Sequence, residues 1–311
     1  MKILVTGGAG FIGSHVVDAY LAAGHEVVVV DDLSSGDRRR VPRGAAFYLM
    51  DIGSPELLKA MEIERPDVVN HHAAQISVSV SAREPVLDAR TNAMGLLNLL
   101  EASRRVGVKR FIFISSGGAI YGEAGGTRMA EDHATTPISP YAIHKLLGEQ
   151  YLRFYQKQHG LSWVTLRYAN VFGPRQNPHG EAGVVAIYVT RLLDREVPVV
   201  NAYPEEPAGM VRDYVFVEDA ARANVLALEK GTGMALNIGT GRPVRTRELL
   251  AEISRLMGKE LRYTTASPRP GDLRESCLDA RKAAEVLGWK PGFTLEQGLA
   301  RTVEYFRSTH V

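Results

Sequence analysis

The sequence predicts an α/β protein built on a doubly wound parallel sheet, with a smaller, interleaved α/β unit for the substrate. Three observations predict it. Short, nearly unbroken runs of β-branched residues alternate with amphipathic stretches through the first two-thirds of the chain. That is the pattern of strands covered on both faces by crossover helices. A glycine-rich turn follows the first strand and opens the first helix, and after about Tyr168 the rhythm breaks into loops rich in Pro, Gly and Arg.

Taken in order, strands are expected at 2–6, 26–31, 46–50, 68–71, 110–115 and 162–168. Helices are expected at 12–23, 56–64, 88–106 and 141–158, with Ser54 as the cap of the second. Such a sheet binds ligands at the carboxyl ends of its strands. Loop signals then come from Gly173-Pro174-Arg175, Asn177-Pro178-His179-Gly180 and Pro204-Glu205-Glu206-Pro207, followed by helices at 219–228, 246–257 and 295–306. This divides the chain into a Rossmann unit, 1–168 with returning segments near 215–238, and a substrate unit, 169–214 and 239–311.

Composition narrows the function. A net charge of +2 gives no bulk electrostatic case for nucleic acid or a membrane surface. Cys277 is the only cysteine, so neither an intrachain disulfide nor a cysteine metal cluster can form, and no metal site is expected. The N-terminus lacks a signal-peptide pattern, and no apolar run approaches the ~20 residues of a membrane span. The expectation is a cytoplasmic protein.

Gly7-Gly8-Ala9-Gly10-Phe11-Ile12-Gly13 satisfies Gly-x-Gly-x-x-Gly from Gly8 and Gly-x-x-Gly-x-x-Gly from Gly7. Glycines at this spacing permit a tight turn and let a pyrophosphate approach the helix N-terminus. Asp31 ends the second strand, 18 residues beyond Gly13, where a carboxylate accepts from ribose hydroxyls and repels a 2′-phosphate. NAD is therefore expected over NADP. Arg38-Arg39-Arg40 is the counter-argument, although such a run is more often a solvated loop. Asp51 ends the third strand, where it could accept from the adenine amino group or cap a helix.

Tyr141 and Lys145 lie four residues apart, one helical turn, so both project from one face. The ammonium is expected to lower the phenol's pKa towards working pH and make Tyr141 a general base. Alone, a Tyr-x-x-x-Lys match is weak.

Together with His72-Ala73-Ala74-Gln75, Thr91-Asn92, Ser115-Ser116, Tyr121-Gly122, Arg167 through Pro174, Arg212-Asp213-Tyr214 and Arg269-Pro270-Gly271-Asp272, these motifs carry a resemblance over nearly the whole chain. The chain resembles the extended short-chain dehydrogenase/reductases, and within them the UDP-glucose (galactose) 4-epimerases. The resemblance implies that Tyr141 takes the proton of a sugar 4-hydroxyl while C4 passes hydride to NAD. The transient 4-keto sugar then turns over, and hydride returns to its other face. Beside Gly7, Gly10, Gly13, Asp31 and Asp51, it places Phe11, Ile12, Asp32, Ser35, Gly36, Ile52, Ala73, Ala74, Gln75, Asn92, Ser115 and Tyr168 at the cofactor, with Lys145 on the nicotinamide ribose. For Asn92 and Tyr168, packing within their own elements competes with that role. Asn170, Arg212, Tyr214, Arg269 and Asp272 are implied to grip the nucleotide, arginine suiting phosphate because of its planar fork. Surface salt bridging is the plainer reading of the two arginines.

Two departures from the family pattern stand out. The usual Ser or Thr four residues before Tyr121-Gly122 is Gly117, so Ser116, a shifted loop or a water is expected to supply the missing hydroxyl. The same segment argues against a rival: the 4,6-dehydratases carry Thr-Asp-Glu where Gly117-Gly118-Ala119 stands, so a dehydratase is not expected. Ser276 falls where some epimerases carry a bulky tyrosine, which predicts room for an N-acetyl group. Alternatives are a UDP-glucuronate epimerase or decarboxylase, and a catalytically silent NAD-bound scaffold. The resemblance further implies a homodimer through the helices at 88–106 and 141–158.

Overall fold

The protein is described from a computed structural model over residues 1–123, 125–178, 183–269 and 271–310. Of the motif residues above, His179, Gly180 and Pro270 lie outside the described residues. The chain begins β1 (Lys2–Thr6), α1 (Phe11–Ala22), β2 (Glu26–Asp31), β3 (Ala45–Leu49), α2 (Glu56–Glu64), β4 (Val68–His71), α3 (Val78–Arg83) and α4 (Pro85–Ala89). It continues α5 (Leu96–Val106), β5 (Arg110–Ser116), α6 (Gly117–Ile120), α7 (Pro140–His159), β6 (Ser162–Tyr168), β7 (Asn170–Phe172) and α8 (Val184–Leu193). Next come β8 (Val199–Asn201), β9 (Val211–Phe216), α9 (Val217–Leu226), β10 (Met234–Ile238), β11 (Pro243–Arg245) and α10 (Thr246–Met257). The last are β12 (Thr264–Ala266), β13 (Glu275–Ser276), α11 (Arg281–Leu287) and α12 (Leu295–Thr309).

Seven strands form one parallel sheet in the order β10-β6-β5-β4-β1-β2-β3. The order reverses between β1 and β4, the switch point where such a sheet opens a crevice. Val27 through Val30 are buried on both faces of β2, as a continuous apolar run requires. The seventh strand, Met234–Ile238, is where the chain returns to pair with β6. A smaller sheet, β11-β9-β13 with β7 on β9, and the pair β8–β12 lie in the other unit. There Phe172, Tyr214, Phe216, Leu249 and Leu299 share a core with α8, α10 and α12.

Local chemistry explains the boundaries that position the site. Helix α7 starts at Pro140, behind a Ser139 side chain that accepts from Ala142 N, and stops at Gly160 with φ 69°. The helix expected at 88–106 begins earlier, at Pro85, and is interrupted by a π-turn at Arg90–Gly95. Gly95 is tight there: a Cβ would come within 2.8 Å of Ile52 Cδ1. Ser54 sits one residue before the flanking position Pro55, its Oγ 3.4 Å from Glu56 N, so its capping contact is long. Helix α11 packs on β10, and Ala283, Leu287 and Trp289 join the main-sheet core. The segment assigned by sequence to the substrate unit at 239–311 thus divides between the two cores.

Candidate active site

A cavity of about 730 Å³ runs over the carboxyl ends of β1, β2, β4, β5 and β6 and onto the smaller sheet. At one end Gly7, Gly10 and Gly13 form its floor. Gly7 has φ 69°, and a Cβ there would stand 2.6 Å from Ala73 N; a side chain on Gly13 would collide with the Gly7 carbonyl. Gly8 instead faces Val29 and is not on the wall, so of the two overlapping glycine patterns it is Gly7-x-x-Gly10-x-x-Gly13 that shapes the cradle. A helix N-terminus above three bare glycines suits a pyrophosphate.

Asp31 is buried on the wall and accepts from Ala9 N at 2.9 Å and Leu33 N at 2.8 Å. Gly36 lies behind it, where a Cβ would be 2.7 Å from Asp31 Oδ1. The arginine run does not reach the cavity wall. Arg39 is paired with Asp37 at 2.7 Å and Arg38 stacks on Phe47 at 4.6 Å. Asp32, Ser35, Asp51 and Ile52 line the same end, with Asp51 Oδ1 accepting from Gly53 N at 2.5 Å. The residues present fit NAD: glycines for the phosphates, and on the same wall a carboxylate, Asp31, with none of Arg38, Arg39 and Arg40 on that wall.

Tyr141, Lys145 and Ser116 meet at the centre of the cavity, joined by Ser115, Ala73, Ala74 and Tyr168. Lys145 Nζ donates to Ile114 O at 3.0 Å and lies 5.8 Å from the Tyr141 ring centroid. The expected lowering of the tyrosine is not found. Burial pushes Tyr141 up to about 12, opposed by a hydrogen bond with Ser116 and reinforced by the charge of Asp88. Burial likewise draws Lys145 down to about 8, against the pull of Asp88. The reason is direct: the ammonium is engaged by a strand carbonyl, and desolvation is the largest influence on both groups. Ser115 Oγ donates to Glu149 at 2.8 Å, and Glu149 is clasped by Arg167. Tyr168 receives a hydrogen bond from Asn224.

Gln75 and Asn92 are not on the wall. Asn92 exchanges hydrogen bonds with the Gln75 backbone and donates to Asp88 Oδ1 at 2.9 Å; Gln75 Nε2 donates to the same oxygen at 2.6 Å. For Asn92 the packing alternative is thus the geometry found. Gly117 is also off the wall, whereas Ser116 and Gly118 line it.

At the far end stand Asn170, Arg212, Tyr214, Arg269 and Asp272. Arg212 folds along its own strand, donating to Val211 O at 2.8 Å. Asp272 accepts from Arg269 N at 2.9 Å. Asp213, between two wall residues, faces the other way and accepts from Thr240 and Gly241, tying β9 to the loop after β10. Ser276 is buried behind Gly118, its Oγ 3.9 Å from where a Gly118 Cβ would stand.

Sequence reasoning missed His72, Thr91, Arg191 and Asn201, all on the wall. His72 was quoted within a motif yet given no role. Both its ring nitrogens are buried without a hydrogen-bond partner, and burial drives its pKa down to about 3, so the ring is neutral. Asn201 ends β8, and its place at a strand's carboxyl end was the available signal. Arg191 carried none.

Residues 3–239 match the NAD dependent epimerase/dehydratase family. A UDP-glucose 4-epimerase of Mycolicibacterium smegmatis is 43% identical over 99% of both chains. The crystal structure of a Thermotoga maritima UDP-glucose 4-epimerase with UDP-glucose superposes with a TM-score of 0.95 at 50% identity, covering 99% of each chain. That of a Thermus thermophilus UDP-glucose 4-epimerase in complex with NAD gives 0.95 at 48% identity over the same share.

Proposed function

The chain belongs to the NAD dependent epimerase/dehydratase family, and from that premise we propose that it is an NAD-dependent UDP-glucose 4-epimerase. One observation carries the reading. A single cavity joins a glycine cradle with a ribose carboxylate, the Tyr141–Lys145–Ser116 cluster, and a cationic far end at Arg212 and Arg269.

Bound NAD supplies a reversible hydride acceptor for C4 of the sugar. Tyr141 Oη takes the 4-hydroxyl proton and later returns it, while its hydrogen bond with Ser116 favours the phenolate. Lys145, its Nζ 5.8 Å from the Tyr141 ring centroid, keeps its positive charge below about pH 8. Arg212 and Arg269 hold the diphosphate, and Asn170, Tyr214 and Asp272 the rest of the nucleotide. Epimerisation needs the ring to present both faces, so the grip belongs on the nucleotide. The wall beside Ser116 is Gly118 and Ala119, without bulky side chains to fix the ring.

Small Gly118 backed by small Ser276 supports acceptance of N-acetylated sugars as well. The silent-scaffold alternative rested on Gly117, and that residue lies off the cavity wall. A second copy of this chain would cover Val86, Leu87, Met94, Ile143 and Phe154, large apolar side chains exposed on α4, the π-turn and α7; we read this as a homodimer face. No helix among the described residues is long and apolar enough to cross a membrane.

The deciding assay is purified protein, without added NAD, against UDP-Glc, UDP-GlcNAc and UDP-GlcA, reading the C4 epimers. Conversion of UDP-GlcA alone would replace this reading by the uronate one, and retained NAD with no turnover would replace it by the scaffold.

A further inference from the structure

Two side chains of α7, one helical turn apart, grip consecutive residues of β5. Lys145 Nζ donates to Ile114 O at 3.0 Å, and Glu149 Oε1 accepts from Ser115 Oγ at 2.8 Å. Residues at i and i+4 share one helix face, so the two contacts are fixed together. Opposite Ser115 in the sheet register stands Arg167 of β6. Its Nε donates to the same Glu149 oxygen at 3.0 Å and its Nη2 to the other at 2.6 Å, the parallel fork of a bidentate pair. The remaining nitrogen, Nη1, donates to Tyr121 Oη at 2.6 Å, and that phenol donates in turn to Asn237 Oδ1 of β10 at 2.8 Å. Glu149 and Arg167 are 1% and 3% exposed, and neither lines the cavity.

A buried pair of this kind contributes little stability over apolar residues of similar volume, because desolvation of both groups offsets their attraction. What it supplies is direction, since the planar fork admits one arrangement of the two partners. We propose that Glu149 and Arg167 are positioning residues for the reaction. They form a clasp that sets the register of α7, which carries Tyr141 and Lys145, on the strand end that carries Ser115 and Ser116. This role rests on the reading of Tyr141, Lys145 and Ser116 as the reacting cluster. Through Tyr121 the clasp also holds the end of α6, whose Gly118 and Ala119 form the wall beside Ser116. Three pieces of the reaction centre thus take their relative places from one ion pair outside the cavity. Arg212 and Arg269, at the far end, do not depend on it for a partner, so loss of the clasp acts on the chemical step and not on nucleotide binding.

The decisive variant replaces both partners, Glu149→Met together with Arg167→Met. It is expected to stay folded, with Tm within roughly 10 °C of wild type. Its kcat for UDP-glucose should fall by roughly 10-fold or more, the weight of a small misplacement, with KM unchanged within about 2-fold. A crystal structure of the variant should show Lys145 Nζ withdrawn from Ile114 O to beyond about 3.5 Å. Arg167→Lys keeps a cation but not the fork, so it should lower kcat in the same direction, and it carries the test if the double variant does not fold. Undiminished kcat in a folded variant overturns the proposal. So does a rise in KM alone, or a fall in kcat with the Lys145–Ile114 contact intact. If the wild-type protein turns over no UDP-sugar, the functional reading fails, and the Lys145–Ile114 separation in the variants still decides the clasp.

Discussion

The Cβ that Gly117 lacks would stand 2.6 Å from Cδ1 of Leu278, a fully buried side chain, and 3.3 Å from the carbonyl of Arg167. A serine here therefore meets the core and not the sugar. Gly117→Ser is expected to lower stability by about 1–3 kcal/mol through overpacking and to leave kcat no higher than wild type. Thermal unfolding and the epimerase assay check it together; a gain in kcat would show that residue 117 does reach the substrate.

Ser116 lines the cavity and favours the Tyr141 phenolate. Ser116→Ala should reduce kcat by on the order of 10- to 100-fold, as for loss of one donor at a developing oxyanion, with KM much less changed. Full activity in this variant removes Ser116 from the mechanism.

With Tyr141 held at about 12 and Lys145 at about 8, kcat/KM should climb with pH as the phenolate fraction grows, then turn over near pH 8 as Lys145 loses its charge. Tyr141→Phe should abolish turnover while still binding UDP-glucose. A flat profile between about pH 6 and 8 contradicts this assignment.

Lys145 also predicts a stability effect of opposite sign to its catalytic one. Its folded pKa lies below the unfolded 10.5, so below about pH 8 the folded state carries a poorly solvated charge. Lys145→Met should then stabilise the ligand-free protein by on the order of 3 kcal/mol, less whatever the Ile114 hydrogen bond contributes. The gain shrinks between pH 8 and 10.5, where wild type regains stability as its folded lysine gives up the proton. Denaturant midpoints at about pH 7 and pH 10 measure it; equal gains at both would refute the linkage.

Arg212→Ala and Arg269→Ala should each raise KM for UDP-glucose by roughly 10-fold or more, the weight of a charge-assisted phosphate contact. Unchanged KM in both would return these arginines to the surface salt-bridge reading.

Much of this was legible from one sequence because its signals are local. The strand runs, the glycine spacing and Asp31 each dictate their own geometry, and the structure sets them where the pattern required. What stayed illegible depends on partners distant in the chain. Gly117 looked like a missing hydroxyl until Leu278, far along the sequence, was found against it. The Tyr141–Lys145 pair looked like mutual activation until burial and the Ile114 carbonyl entered. Asn92 looked like a cofactor ligand because its motif neighbours are; its amide is consumed by Gln75 and Asp88. The π-turn left no trace in the apolar period of 88–106.

The chain passes between its two sheets with almost no slack. Only Ala169 separates β6 from β7, α9 follows β9 without a spacer, and a short loop, pinned by Asp213, leads from β10 to β11. Mechanically the cleft is a door hung on several hinges: these three, and the returns from β13 to α11 and from α11 to α12. It can breathe, but it cannot swing wide without breaking strand pairing on one side or the other. Proteolytic or genetic excision of either half would sever several of these straps at once, so neither half is a cassette that can be exchanged whole. Changes of sugar preference in such a scaffold must come one wall residue at a time.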